Sequence, residues 1–301
     1  SPGDGKGLDI FMKTCVSTYS YGGYMSDSKL GVLGCIDHAA SEGFDGIEFV
    51  EGGWQKEWLN PEGAKKIREY CAEKGIEPVA FLIGADVINW GGDDGREEIQ
   101  RICRLIDSAA ELGVKLFRHD VSGGLPSNVK LGRSFDCLLP KIAERVREIT
   151  KYAEQKGIRT MSENHGLFAQ DSSRVEKLVN TVNHPNYGAL VDLGNFLCAD
   201  EDTNRAVGVM APYAFHVHAK DFLVKSGMEI DPGDCWFKSR SGNYLRATVI
   251  GHGEAHIAQS IGILKRNGYD GYVTVEFEGP EDNLAAISLG KKNLLRYFDM
   301  F

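Results

Sequence analysis

The residues of this chain that could do chemistry gather where apolar stretches end. "TMSENHG" (160–166) sets a carboxylate, an amide and an imidazole side by side at Glu163, Asn164 and His165. "GALVDLGN" closes on Asp192 and Asn195, "FHVHAKD" carries His216, His218, Lys220 and Asp221, and "YVTVEFEG" gives Glu276 and Glu278. Earlier stretches add Glu48 and the run Arg118, His119, Asp120. Burying several ionised carboxylates together is prohibitive unless a cation compensates them or some are protonated. Glu163, Asp192, His218 and Glu276 make a set of three oxygen donors and one nitrogen. Such a set suits Mn2+, Mg2+ or Co2+ better than a thiolate-preferring metal. Taken singly, Glu163 could bond to backbone amides or a lysine, and His218 could be a satisfied core histidine. The recurrence at four successive stretches is what argues for a shared ion.

Positioning such a set requires strand ends that converge. One local pattern recurs along the chain: an amphipathic helical stretch, a glycine able to end it, then a short apolar run, as in "CAEKGIEPVAFLI", "AAELGVKLFRHD" and "YAEQKGIRTMSE". This alternation predicts strands near 9–16, 44–50, 77–83, 114–120, 158–163, 187–192, 213–219 and 271–277. Helices fall between them near 28–42, 61–74, 96–112, 137–156, 171–182, 202–210, 255–267 and 282–299. Eight strand–helix units predict a single (β/α)8 TIM barrel, whose chemistry sits at the carboxyl ends of the strands. An open doubly wound sheet is the structural alternative, but "YSYGGYM" after the first strand is not its phosphate-binding glycine fingerprint. Side chains alternate along a strand, so His216, His218 and Lys220 share one face, as do Thr274, Glu276 and Glu278. Glu278 is therefore an alternative to Glu276.

Residues 1–7, "SPGDGKG", read as a flexible lead-in, with no basic region leading into an apolar one, and 8–301 as the barrel. The irregular segment is 222–253, too long for an ordinary strand–helix connection and read as a loop insertion. Its aromatic residues Trp236, Phe237 and Tyr244 and its basic residues Lys238, Arg240 and Arg246 favour a lid over a polar ligand; a subunit contact is the other reading.

Composition narrows the class. Of 301 residues, 42% are hydrophobic and 26% charged, and no apolar run reaches membrane-spanning length. The net charge of −9 opposes nucleic acid, so a small-molecule ligand is expected, with no nucleic-acid and no membrane partner. Seven widely spaced cysteines without a CxxC pair point to reduced thiols and a cytoplasmic protein.

The motifs "SENHG", "VDLGN", "HVHAKD", "GHG" and "VEFEG" together resemble the xylose isomerase-like barrel superfamily of sugar isomerases and epimerases, over residues 8–299. That superfamily also includes ketose 3-epimerases, hydroxypyruvate isomerases, inosose dehydratases and an endonuclease branch. The resemblance implies a divalent metal, Mn2+ first and Mg2+ or Co2+ next, held by Glu163, Asp192, His218 and Glu276. It implies Glu163 and Glu276 as the proton-exchanging pair, with His165 polarising the substrate oxygen or serving as another base. Asn195, Arg118, His119, Lys220 and Arg240 are the expected substrate contacts, Arg118 and His119 being equally open to a supporting role. The chain departs from many members at Asn195, where they carry a histidine; an amide can bond a hydroxyl but does not shuttle protons near neutral pH. The endonuclease branch fits less well, since it is expected to use more histidines on three metals and an acidic protein would repel its substrate.

The implied activity is isomerisation or epimerisation of a small sugar, ketose or keto-polyol through an enediolate. A lyase or dehydratase on the same scaffold and a non-catalytic sugar-binding barrel are the alternatives. Barrels of this kind often dimerise or tetramerise, so a homo-oligomer is a possible form.

Overall fold

The computed structural model describes residues 11–26, 29–51, 59–92 and 94–301. The expected lead-in at 1–7, the start of the strand expected from 9 and residue 28 of the first helix lie outside them. Along the described chain run β1 (Lys13–Ser17), β2 (Gly46–Val50), β3 (Glu77–Ile83), β4 (Leu116–His119), β5 (Arg159–Glu163), β6 (Tyr187–Asp192) and β7 (Ala214–Ala219). Three further strands follow, β8 (Asp221–Lys225), β9 (Phe237–Lys238) and β10 (Tyr244–Thr248), and then β11 (Tyr272–Val275). The helices are α1 (Gly31–Ser41), α2 (Pro61–Lys74), α3 (Arg96–Leu112), α4 (Phe135–Gln155), α5 (Ser172–Val182), α6 (Thr203–Met210), α7 (Ile257–Arg266) and α8 (Asn283–Phe298).

β1 to β7 and β11 close into a parallel barrel in the order β1-β11-β7-β6-β5-β4-β3-β2. Local chemistry explains the alternation. The Asn60 side chain accepts the Gly63 amide and Pro61 opens α2, while Gly75 ends it at φ 70°, in the left-handed region that glycine tolerates. Ser134 caps α4 through the Cys137 amide, so this helix begins two residues before the expected 137. The helices bury their apolar faces, among them Ile102, Ile106, Ile142 and Val146, in one shell around the strands. A smaller cluster, with Cys15, Leu82, Met161 and Leu190, fills the barrel interior beneath the strand ends.

Register sets what lies above that plug. Cys15 pairs with Gly46 and Ser17 with Glu48, Glu163 pairs with Leu190, Asp192 with His218, and His218 with Thr274. With a period of two, Met161 and Leu190 line the interior one step before Glu163 and Asp192, so the polar residues share that inward face.

Residues 221–248 carry a separate antiparallel sheet in the order β8-β10-β9. It is fastened at Asp221, whose carboxylate accepts the amides of Phe222, Gly251, Gly253 and Ala255 at 2.8 to 3.0 Å. A Cβ at Gly253 would collide with this carboxylate, which accounts for the second glycine of "GHG". Burial pushes the Asp221 carboxyl up and the amides pull it back, so the cluster holds the turn in place more than it adds stability. Truncation leaves four donors without an acceptor. Asp221→Ala is expected to lower unfolding free energy by about 2–4 kcal/mol, measured by urea denaturation; a change within experimental error contradicts the fastening role.

Candidate metal centre

Four strand ends deliver Glu163, Asp192, His218 and Glu276 to one point, with one donor atom from each lying within 4.8 Å of the others. His218 Nδ1 stands 3.2 Å from Glu276 Oε2, 3.6 Å from Asp192 Oδ2 and 4.0 Å from Glu163 Oε1. All four residues are buried.

Each donor is aimed by a neighbour. Asp192 Oδ1 accepts the amides of Gly194 and Asn195, both at 2.8 Å, which turns Oδ2 toward the cluster. Gly194 has to be glycine because a Cβ there would sit 2.6 Å from the Lys220 carbonyl. Asn164 reads the backbone of the next strand: its Nδ2 donates to the Asp192 carbonyl at 2.9 Å and its Oδ1 accepts the Asp192 amide at 2.8 Å. Glu163 is gripped at both oxygens, by Arg118 Nη2 at 2.7 Å and by Asn195 Nδ2 at 2.9 Å. Arg118 also meets Asp120 at 3.0 Å and donates to the Ile83 carbonyl.

Beneath His218 lies Glu48, fully buried, with His218 Nε2 at 2.9 Å from Oε1 and His216 Nε2 at 2.7 Å from Oε2. The first contact is close but off the line of a hydrogen bond. Burial pushes the Glu48 carboxyl up, and the two imidazoles outweigh it, drawing it from the usual 4.5 to about 2. Both histidines face the same carboxylate yet shift oppositely. Burial keeps His216 down, whereas the charges of Glu48 and Glu276 overcome burial and hold His218 well above the ordinary range. Glu48 is therefore the charged group that both imidazoles face, and His216 is a neutral donor to it.

Lys220 brings an ammonium into the cluster, 2.6 Å from Glu276 Oε2, 3.4 Å from Asp192 Oδ2 and 3.3 Å from Asn195 Oδ1. Burial raises the Glu276 carboxyl, but Lys220 and His218 outweigh it and hold it well below the usual range. At Asp192 burial wins over Lys220, and the carboxyl is pushed up. Asp192 Oδ2, Glu276 Oε2 and His218 Nδ1 are buried and make no hydrogen bond. Three buried donor atoms without a hydrogen bond, two of them carboxylate oxygens, turn toward one spot and fit a divalent cation, with Lys220 already against Glu276 Oε2.

The expected substrate contacts divide. Asn195, Arg118 and Lys220 join the cluster. His165 stands at its mouth, its Nδ1 3.2 Å from Asp120 Oδ1, and shares with Glu163 and Asp120 a cavity of about 240 Å3. The Asp120 contact and the Glu163 charge overcome burial and raise the His165 imidazole. His119 is not brought there: one residue past Arg118, it faces the helix layer, stacked with Tyr187 at 6.3 Å and near Phe117. Arg240 is taken up by Asp171 and the Leu167 carbonyl, which tie the β9–β10 turn to the segment after β5. Glu278 lies at the rim, accepting the Tyr19 hydroxyl at 3.0 Å, so the inner position belongs to Glu276. Another cavity of about 410 Å3, bordered by the first turns of α5 and α6, includes none of the four clustered donors; its acids include Asp171 and Glu201, already engaged by Arg240 and Ser172. Asn164 escaped sequence reasoning, since its partner is the backbone of the adjacent strand.

The family model described as the xylose isomerase-like TIM barrel matches residues 36–294, and the chain belongs to that family. Inosose dehydratase of Clostridium perfringens (strain 13 / Type A) is 26% identical over 140 residues, 46% of this chain and 46% of that protein. Inosose dehydratase 1 of Bacillus cereus (strain ZK / E33L) is 26% identical over 139 residues, with the same shares. The matched segment thus spans about half the length of these curated relatives. Among solved structures, the IOLI protein with a binding zinc atom superposes with a TM-score of 0.75 at 20% identity, over 96% of this chain and 99% of that one. L-ribulose 3-epimerase gives 0.73 at 14% identity over 96% and 95%. A xylose isomerase-like TIM barrel protein from Mycobacterium smegmatis in complex with magnesium gives 0.72 at 19% identity over 96% and 97%. At such identities these structures establish the shared fold.

The Glu48 pairing has a pH signature. A carboxylate whose folded value is depressed contributes stability that is present above the usual 4.5 and is lost as pH falls toward about 2. Glu48→Gln is expected to be less stable than the wild type by about 3 kcal/mol at pH 7. That difference narrows below pH 4.5 in denaturation series; a gap independent of pH contradicts an ionised Glu48.

Proposed function

We propose that this chain is a divalent-metal-dependent enzyme that moves a proton beside the carbonyl of a small sugar, ketose or keto-polyol, acting as an isomerase or epimerase. The observation that carries the reading is the convergence of two gripped carboxylates, Glu163 and Glu276, with Asp192 and His218 around unsatisfied buried donor atoms. Glu163, Asp192, His218 and Glu276 would hold the ion, Mn2+ by preference, with Mg2+ and Co2+ as alternatives, and it would supply Lewis-acid stabilisation of the negative charge developing on the substrate oxygen.

The protein groups carry the rest. Glu163, on β5, and Glu276, just past β11, are separated around the barrel mouth by β6 and β7, so one takes the proton from carbon and the other returns one to the opposite face. Arg118 and Asn195 fix the orientation of Glu163, and Lys220 does so for Glu276. His165 at the mouth donates to a substrate oxygen, with Asp120 holding its ring. The seven free cysteines accord with a cytoplasmic enzyme.

Dehydration is the second reading, favoured by the match to inosose dehydratases over 140 residues. The same enolate that is reprotonated by an epimerase expels a β-hydroxyl in a dehydratase. Incubating the manganese-loaded protein with ketoses and keto-inositols in heavy water separates the two, since epimerisation exchanges the α-proton without loss of water. Glu163→Gln and Glu276→Gln are each expected to reduce exchange by about 10^2- to 10^4-fold with the fold intact by circular dichroism. Wild-type exchange in either variant removes the proton-pair assignment.

A further inference from the structure

Three of the four clustered donors are aimed from beside or above: Asp192 by the Gly194 and Asn195 amides, Glu163 by Arg118 and Asn195, and Glu276 by Lys220. His218 is aimed from below, by Glu48 on β2. Around the barrel, β2 and β7 are separated by β1 and β11, so the Glu48 side chain meets its partners across the interior. It is shared between two imidazoles. His216 Nε2 lies 2.7 Å from Oε2, which the Thr274 hydroxyl also approaches at 3.3 Å, and His218 Nε2 lies 2.9 Å from Oε1. Glu48, Thr274, His216 and His218 are fully buried, so bulk water does not compete for these contacts.

A carboxylate oxygen presents only lone pairs, and a bare imidazole nitrogen presents another. At 2.9 Å, even off the hydrogen-bond line, their approach is attractive only when Nε2 carries a hydrogen. A neutral imidazole has one ring hydrogen, so placing it on Nε2 leaves Nδ1 with the lone pair that a metal ligand needs. Nδ1 is the nitrogen turned toward Glu276, Asp192 and Glu163. The opposite tautomer would set a lone pair against the buried carboxylate and a hydrogen among the donors. We propose that Glu48 is a positioning residue of the metal centre, accepting the Nε2 hydrogen of His218 and so fixing the tautomer and ring plane that present Nδ1 to a divalent cation. His216 and Thr274 keep Oε2 occupied, which leaves Oε1 to His218. This rests on the metal-dependent reading above and names the group behind its histidine ligand.

Glu48→Gln keeps the shape of the side chain but has one oxygen for two imidazole N–H groups. In calorimetric titration with Mn2+ it is expected to bind the ion about 10- to 100-fold more weakly than the wild type; any smaller loss overturns the assignment. A second measurement needs no variant, so poor folding of Glu48→Gln leaves the proposal falsifiable. In proton–nitrogen correlation spectra of the magnesium-loaded wild type with isotopically labelled histidine, His218 is expected to carry its hydrogen on Nε2, shifted downfield by the Glu48 carboxylate. A hydrogen on Nδ1, or one on Nε2 without that shift, overturns the assignment; a Glu48 that only filled space would produce no such shift. Ion binding and this tautomer without proton exchange overturn the reaction and keep the role of Glu48. Exchange by Glu48→Gln with wild-type manganese affinity overturns that role alone, and no ion uptake by the wild type overturns both.

Discussion

Four carboxylates, Glu48, Glu163, Asp192 and Glu276, are buried around His218, and the rest of the site follows from that crowding. At 4 Å and an effective dielectric constant of 20, two like charges repel by about 4 kcal/mol, before the penalty of removing each from water is counted. The buried permanent cations among them are Arg118 and Lys220. With His218 neutral, as a metal ligand through Nδ1 must be, two negative charges then remain uncompensated, which is the charge of one divalent ion. The same imbalance explains why Asp192, fixed by two backbone amides at one oxygen, is still pushed toward its neutral form.

Holding such a set together demands rigid supports, and the barrel supplies them through backbone contacts. Asn164 spans from β5 to β6, Gly194 lets the chain after Asp192 press against the Lys220 carbonyl, and Asp221 gathers four amides immediately past Lys220. Side chains that would otherwise swing are thus set by the main chain of neighbouring strands and turns. The donors Glu163, Asp192 and His218 belong to adjacent barrel strands, and Glu276 follows the next strand around the barrel, so they converge on one side of its mouth.

Much of this is legible in the sequence because strand geometry is periodic. A carboxylate at the end of an apolar run, with the same parity as inward apolar residues, points into the mouth; that logic located Glu163, Asp192, His218 and Glu276 and the eight strands behind them. Parity also explains His119, which adjoins Arg118 in sequence and so faces the opposite way. What is not legible depends on contacts between distant segments. Arg240 reads as a ligand contact until Asp171, 69 residues away, takes its guanidinium. Residues 222–253 read as a loop because β8 and β10 are separated by a polar, glycine-containing stretch, and their pairing appears only when Tyr244 meets Lys225 across the sheet. Asn164 looked like part of a polar cluster, whereas its partner is main chain.

The most direct measurement is titration of metal-stripped protein with Mn2+, followed by the electron paramagnetic resonance signal of the free ion, for the wild type and for Asp192→Asn. One equivalent of manganese taken up by the wild type, with uptake weakened at least tenfold in the variant, is the predicted result. Equal uptake by both proteins, or none by the wild type, would contradict the claim that these buried acids are held together by a divalent cation.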